Sequence, residues 1–288
     1  MAIVPDRFTR FAAIDWSGAR GSRHKGIALA TCGEGDAAPA LVMPPADIWS
    51  RTAVLEWLIE HRDTDMLVGF DFSFSAPFVE RGAHLPGEPA TADARALWAH
   101  VDASCEDADL GAASFLEARR GTHFYLGAAD GSKARFLHLR ACEALFNARG
   151  GGKPSSVYDA IGAAQVAKAS FAGMRLLHRL PGDIAVWPFD PLPPRGLVVV
   201  EIYTAIAARA AGLRKGLSKI RDAAALDTAL AAFGSRPHAA LARYDDHATD
   251  AILTAAWLRA NADRADLWAP SVMTHEIAAT EGWTFGVP

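Results

Sequence analysis

Three apolar runs in this chain each stop abruptly on an acid, and nothing else in the sequence constrains the fold as tightly. They are Ala12-Ala13-Ile14 before Asp15, Leu67-Val68-Gly69-Phe70 before Asp71, and Leu197-Val198-Val199-Val200 before Glu201. Each reads as a buried strand. An isolated carboxylate is too costly to bury, so each acid marks the point where the chain leaves the core at a sheet rim. If the first two strands are parallel neighbours, Asp15 and Asp71 come within a few ångströms of each other, a repulsion that a shared divalent cation relieves. Taken singly, each aspartate has a plainer reading as a turn residue or helix cap. A further acidic motif, Asp245-Asp246-His247-Ala248-Thr249-Asp250-Ala251, opens a run with helical spacing.

A chain of 288 residues, 51% hydrophobic, has enough apolar material for one large domain or two ordinary ones. No apolar run approaches the roughly 20 residues of a membrane span, and the first residues lack a basic segment followed by a long apolar one. The expectation is a cytoplasmic protein without a membrane partner. Cys32, Cys105 and Cys142 are far apart, which argues against a disulfide framework or a zinc knuckle. A formal net charge of -4 argues against a protein that coats nucleic acid non-specifically. Local asymmetry remains, since Arg209, Arg214, Lys215, Lys219 and Arg221 form a run without an acid, and Arg20, Arg23, His24 and Lys25 crowd one turn. Both clusters are candidates for gripping phosphates and, equally, solvated charges.

Periodicity and turn residues give strands at 11–15, 26–32 and about 40–43, a helix over 52–62 and a strand over 66–72. Pro77 breaks this pattern. Helices follow over 92–100, 135–148 and 157–180, and 181–194 reads as a proline-rich loop. The strand 196–202 comes next, followed by helices at about 203–211, 222–233 and 244–262. With 76–194 set aside as a mainly helical insertion within a single domain of 1–288, the order is β-β-β-α-β-(insert)-β-α-α.

This order, with acids on the first strand, the fourth strand and the last long helix, resembles the ribonuclease H-like fold. That fold is an α/β arrangement with a mixed five-stranded sheet flanked by helices, here with the large insertion between the fourth and fifth strands. The His247-x-x-Asp250-Ala251 pattern is similar to the resolvase-like branch. More narrowly, Ile14-Asp15-Trp16-Ser17-Gly18, Phe70-Asp71-Phe72-Ser73, Val200-Glu201-Ile202-Tyr203 and Glu281-Gly282-Trp283-Thr284-Phe285-Gly286 look like the uncharacterised bacterial family numbered 429 among domains of unknown function. The resemblance implies a metal-dependent nuclease acting on nucleic acid, structured or branched forms included. Asp15 matches the first-strand acid, Asp71 the fourth-strand acid and Asp250 the helix acid, with His247 one turn earlier on the same face. Asp246 stands open to replacing His247 or supporting the ligands from behind, and Glu201 to ligating a metal or orienting substrate. Asp245 reads as a helix cap.

The implied chemistry is phosphodiester hydrolysis with two Mg²⁺ or Mn²⁺ ions about 3.5–4 Å apart, held by carboxylates because these hard cations prefer oxygen. His247 is placed to assist proton transfer. Phosphate-gripping candidates are Arg20, Arg23, Lys25, Arg214 and Lys215. Other classes stay open: a non-catalytic protein that uses the same cleft for binding, and an actin-like small-molecule kinase, although Asp15-Trp16-Ser17-Gly18 carries its glycine one residue late. Gly150-Gly151-Gly152-Lys153-Pro154 fails as a phosphate loop because Asn147 and Pro154 stand where glycine and a hydroxyl are needed. Ser73 and Ser75 lack the glycines of a nucleophile elbow.

Overall fold

The computed structural model describes residues 7–161, 166–213 and 219–288. Strand β1 (Arg10–Asp15) alternates its side chains between two cores. Ala12 and Ile14 pack on one face, whereas Phe11 and Ala13 pack on the other. That period of two is what a strand buried on both sides requires. β1 pairs antiparallel with β2 (Ala28–Gly33), which pairs antiparallel with the short β3 (Ala40–Leu41). On its other side β1 runs parallel to β4 (Met66–Phe70).

The remaining strands are β5 (Ala185–Trp187) and β6 (Val198–Glu201), and the sheet order is β3-β2-β1-β4-β6-β5. The sheet therefore has six strands, where the sequence predicts five. Ala185–Trp187 lies in a stretch expected to be loop, so the segment 76–194 is not purely an insertion outside the sheet.

Ten α-helices occur among the described residues: α1 (Arg51–Glu60), α2 (Ala94–Ala103), α3 (Ala113–Ala118), α4 (Ala141–Ala148), α5 (Val166–His178), α6 (Thr204–Ala210), α7 (Ala223–Ala231), α8 (Asp246–Asn261), α9 (Ala265–Trp268) and α10 (His275–Thr280). Side chains of Ser50, Asp93, Asp222 and Asp245 each accept a backbone N–H at the start of α1, α2, α7 and α8. These residue types suit the task because a short polar side chain satisfies an otherwise unpaired amide.

Helices cover both faces of the sheet. Val68 and Phe70 share one core with Val54 of α1, Leu97 of α2, Phe115 of α3 and Phe171 of α5. Leu67, Val198 and Val200 share the other with Leu226 of α7, Leu258 of α8, Trp283 and Phe285. The C-terminal segment thus belongs to the core. Thr284 forms a parallel bridge with Glu201, and the Phe285 N–H donates to the Glu201 carbonyl at 2.8 Å. No helix among the described residues is long and apolar enough to cross a membrane.

Candidate active site

Strand parity decides which acids can meet. β1 and β4 are parallel with Ile14 opposite Phe70, and β6 continues the register with Phe70 opposite Glu201. Paired residues in parallel strands point to the same face. Ile14 and Phe70 face the core of α1, α2 and α5, so Glu201 faces that side as well. Asp15 and Asp71 are each one residue further and face α8. The Asp71 N–H donates to the Ile14 carbonyl at 3.1 Å, extending the ladder to the rim.

Helix α8 lies close against this face. A Cβ on Gly69 would stand 2.7 Å from the Ile202 side chain and 2.9 Å from Leu258, so glycine is what lets the helix approach. Asp245 caps its first turn by accepting the Ala248 N–H at 3.0 Å. His247 then points at the end of β1, with Nδ1 2.7 Å from Asp15 Oδ2.

The charge of Asp15 raises both of the other aspartates. Burial, followed by the charges of Asp15 and Asp250, pushes the Asp71 carboxyl well above its ordinary value, against a hydrogen bond accepted from Thr204 Oγ1 at 3.1 Å. Burial, then Asp15 and Asp246, pushes Asp250 up to about 7. Burial raises Asp15, opposed by His247. In return the Asp15 hydrogen bond raises His247 and keeps its imidazolium form favoured. Repulsion among half-buried carboxylates is the electrostatic condition that a divalent cation relieves, and hard oxygen donors suit Mg²⁺ or Mn²⁺. As the side chains stand, no group of three or more His, Cys, Asp and Glu residues among those described forms a metal-holding cluster. The donor set fits such an ion chemically, and its side chains are not drawn together around one point.

Glu201 has a different position from the one the sequence suggested. It faces away from Asp15 and Asp71, and both of its oxygens are engaged. Arg140 Nη1 and Nη2 donate to it at 2.7 and 2.5 Å, the Phe74 N–H at 2.7 Å and Thr284 Oγ1 at 2.5 Å. Arg140 also donates to Glu143, through Nε at 3.0 Å and Nη2 at 2.8 Å. Asp246 is likewise committed, to Lys219 at 2.6 Å and Arg221 at 2.5 Å. Both acids are therefore held by cations of the chain rather than directed at the aspartate cluster.

Among the phosphate-gripping candidates, Arg20 pairs with Glu117 of α3 at 3.2 Å on the surface. Arg23 and Lys25 are exposed on the turn between β1 and β2. Arg214 and Lys215 lie outside the described residues. Arg140 escaped the reading of the sequence, because its partner Glu201 is distant in the chain. The Arg140-x-x-Glu143 spacing at a helix start, where Glu143 accepts the Arg140 N–H at 2.9 Å, was the one available signal.

Asp15, Asp71 and His247 line a cavity of about 400 Å³, together with Trp16, Phe72 and residues of α4 and α5. A second cavity of about 930 Å³ adjoins it, and Gly26 and His247 line both. Comparison with family models, with curated proteins and with solved structures finds no match to this chain, so its function has to be read from this geometry.

Proposed function

We propose that the chain is a metal-dependent nuclease of the ribonuclease H-like type, hydrolysing phosphodiester bonds of nucleic acid. The observation that carries this reading is the meeting of Asp15 and Asp71, at the ends of adjacent parallel strands, with His247 and Asp250 of α8 on one face of the sheet. An antiparallel three-strand meander continued by parallel strands, with the last long helix against the first strand, also suits that fold.

Asp15, Asp71 and Asp250 would hold Mg²⁺ or Mn²⁺, and a bound cation of this kind activates water and stabilises the leaving oxygen. The chain's own side chains do the rest. Asp15 fixes the His247 ring through Nδ1, which orients the other ring nitrogen. That nitrogen lies beside Gly26, where a Cβ would stand 3.4 Å away, at the wall shared by the two cavities. It is placed to deliver a proton to a departing oxygen there, and the hydrogen bond to Asp15 raises its pKa. Arg140 pairs with both Glu201 and Glu143 on the opposite side of the cavity floor and offsets part of their charge toward an approaching phosphate.

The test is cleavage of labelled DNA and RNA oligonucleotides in Mn²⁺ by wild-type protein and by Asp15→Asn, beside calorimetry of Mn²⁺ binding. Wild type is expected to bind the ion and cut, and Asp15→Asn to do neither while still folding. A protein that takes up no Mn²⁺, cuts nothing and is stabilised by ATP instead would be a nucleotide-binding protein or kinase using the same cleft.

A further inference from the structure

The cavity beside Asp15 and Asp71 is lined by parts of the chain that meet from several directions. Trp16 follows β1, Phe72 follows β4, Phe146 belongs to α4, Ala169 to α5, Tyr203 precedes α6, and Val287 comes from the C-terminal segment. The wall formed by α5 is fixed at the level of the backbone. Trp16 Nε1 donates to the Ala169 carbonyl at 3.1 Å, and a Cβ on Gly18 would stand 2.2 Å from the Ala169 nitrogen. Opening this wall would mean separating packed main chain.

A chamber of about 400 Å³ lies within the range of small-molecule sites, about 300–1,000 Å³. A nucleic-acid duplex, stiff over about 150 base pairs, cannot turn into it. One unstacked base with its sugar can. The ring of Phe146 lines this cavity, edge-on to Tyr203 with centroids 5.6 Å apart. Gly151 and the Arg209 guanidinium also lie against it, and it is only partly buried, so a base would stack on what they leave open.

The adjoining cavity has the complementary character. It is lined by Lys25, Arg221 and Arg243 and by the acids Asp47, Asp245 and Asp246. Asp245 is occupied as the cap of α8, and Asp246 is paired with Lys219 and Arg221. Lys25 and Arg243, both exposed, remain to meet phosphates. His247 stands where the cavity and this groove join, with Asp15 bonded to its ring on the cavity side.

Building on the nuclease reading, we propose that the substrate is the free end of a single-stranded nucleic acid. The terminal nucleotide enters the cavity beside Phe146, the phosphodiester lies across Asp15 and His247, and the rest of the strand follows the groove past Lys25 and Arg243. In the reaction a water oxygen bonds to phosphorus as the P–O bond to the departing group breaks. The water gives up a proton and the departing oxygen gains one, so no oxidant or reductant is needed. The product released at each cycle is a mononucleotide.

Wild-type protein in Mn²⁺ should be offered an end-labelled single-stranded oligonucleotide and the same sequence closed into a circle, in DNA and RNA forms. The expected result is mononucleotide as the first product from the linear strand and an intact circle. A circle cut as fast as the linear strand, or internal fragments appearing first, would overturn end recognition while leaving a nuclease. Absence of cleavage from either form would overturn the nuclease reading itself. Phe146→Ala, checked for folding by its thermal melt, should lower kcat/KM on the linear strand about tenfold, the scale of one lost base–aromatic stack. An unchanged value would remove the nucleotide from this cavity.

Discussion

Two groups of carboxylates stand at the same rim of the same sheet, one on each face, and their electrostatic circumstances are opposite. Glu201 faces the α5 side, where Arg140 and Thr284 donate to it and Arg140 extends to Glu143. Asp15 and Asp71 face α8, where the neighbours that raise Asp71 are further carboxylates. The first group is paired from within by a shared arginine and contributes to holding the fold. The second keeps its charge problem, which natural chains retain where a ligand or reaction uses it. One residue of strand register separates the two outcomes.

The largest effect should come from breaking the paired group. Glu201→Ala leaves the buried Arg140 with Glu143 alone, and removing one partner of a buried ion pair costs about 3–5 kcal/mol. Chemical denaturation should show a loss on that scale. A loss below about 1 kcal/mol would mean that the network does not hold the C-terminal segment against β6.

On the opposite face, the sign should reverse when a cation is supplied. Mn²⁺ at about 100 times its dissociation constant adds roughly 2.7 kcal/mol, seen as a rise in Tm that Asp15→Asn abolishes. Equal shifts in both proteins would place the ion elsewhere.

Asp71→Asn should stabilise the metal-free protein at pH 8, because it removes a half-buried charge that two neighbouring carboxylates oppose. The direction with pH follows from the raised carboxyl. In the folded chain Asp71 keeps its proton to higher pH than in the unfolded chain, so its contribution is present at acid pH and fades as pH rises past the ordinary carboxylate value near 4. The advantage of Asp71→Asn should therefore shrink as the melts move from pH 8 toward pH 4. An advantage that grows on acidification would contradict the burial of this charge. His24, His84 and His123, whose pKa values burial lowers, act in the other sense in both proteins and cost stability as pH falls below about 6.5.

Asp246→Asn, at a partly exposed acid paired with Lys219 and Arg221, should change stability by less than about 1 kcal/mol. A loss of Mn²⁺ binding in this variant would move Asp246 into the aspartate cluster and narrow the contrast between the faces.

The strands and the long helix were legible because their signals are local. The run ending at Asp15 reads as 11–15 and forms Arg10–Asp15, and the helix read over 244–262 forms Asp246–Asn261. Ala185–Trp187 was not legible, since three residues between Pro181 and Pro188 are too few to show a period. α3, of six residues, escaped for the same reason. At the site, the spacing of His247 and Asp250 placed them on one helical face, and the ends of β1 and β4 placed Asp15 beside Asp71. The direction of Glu201 depends on the register of β4 with β6, which is a property of pairing. Its arginine comes from 61 residues away, and only the folded chain brings the two together.

Both margins of the sheet are brief, Ala40–Leu41 on one side and Ala185–Trp187 on the other. An edge of two or three residues offers another copy few open amides and carbonyls to pair with. The long apolar strands that carry Asp15, Asp71 and Glu201 are all internal, screened by these short margins from growth into a cross-chain β assembly.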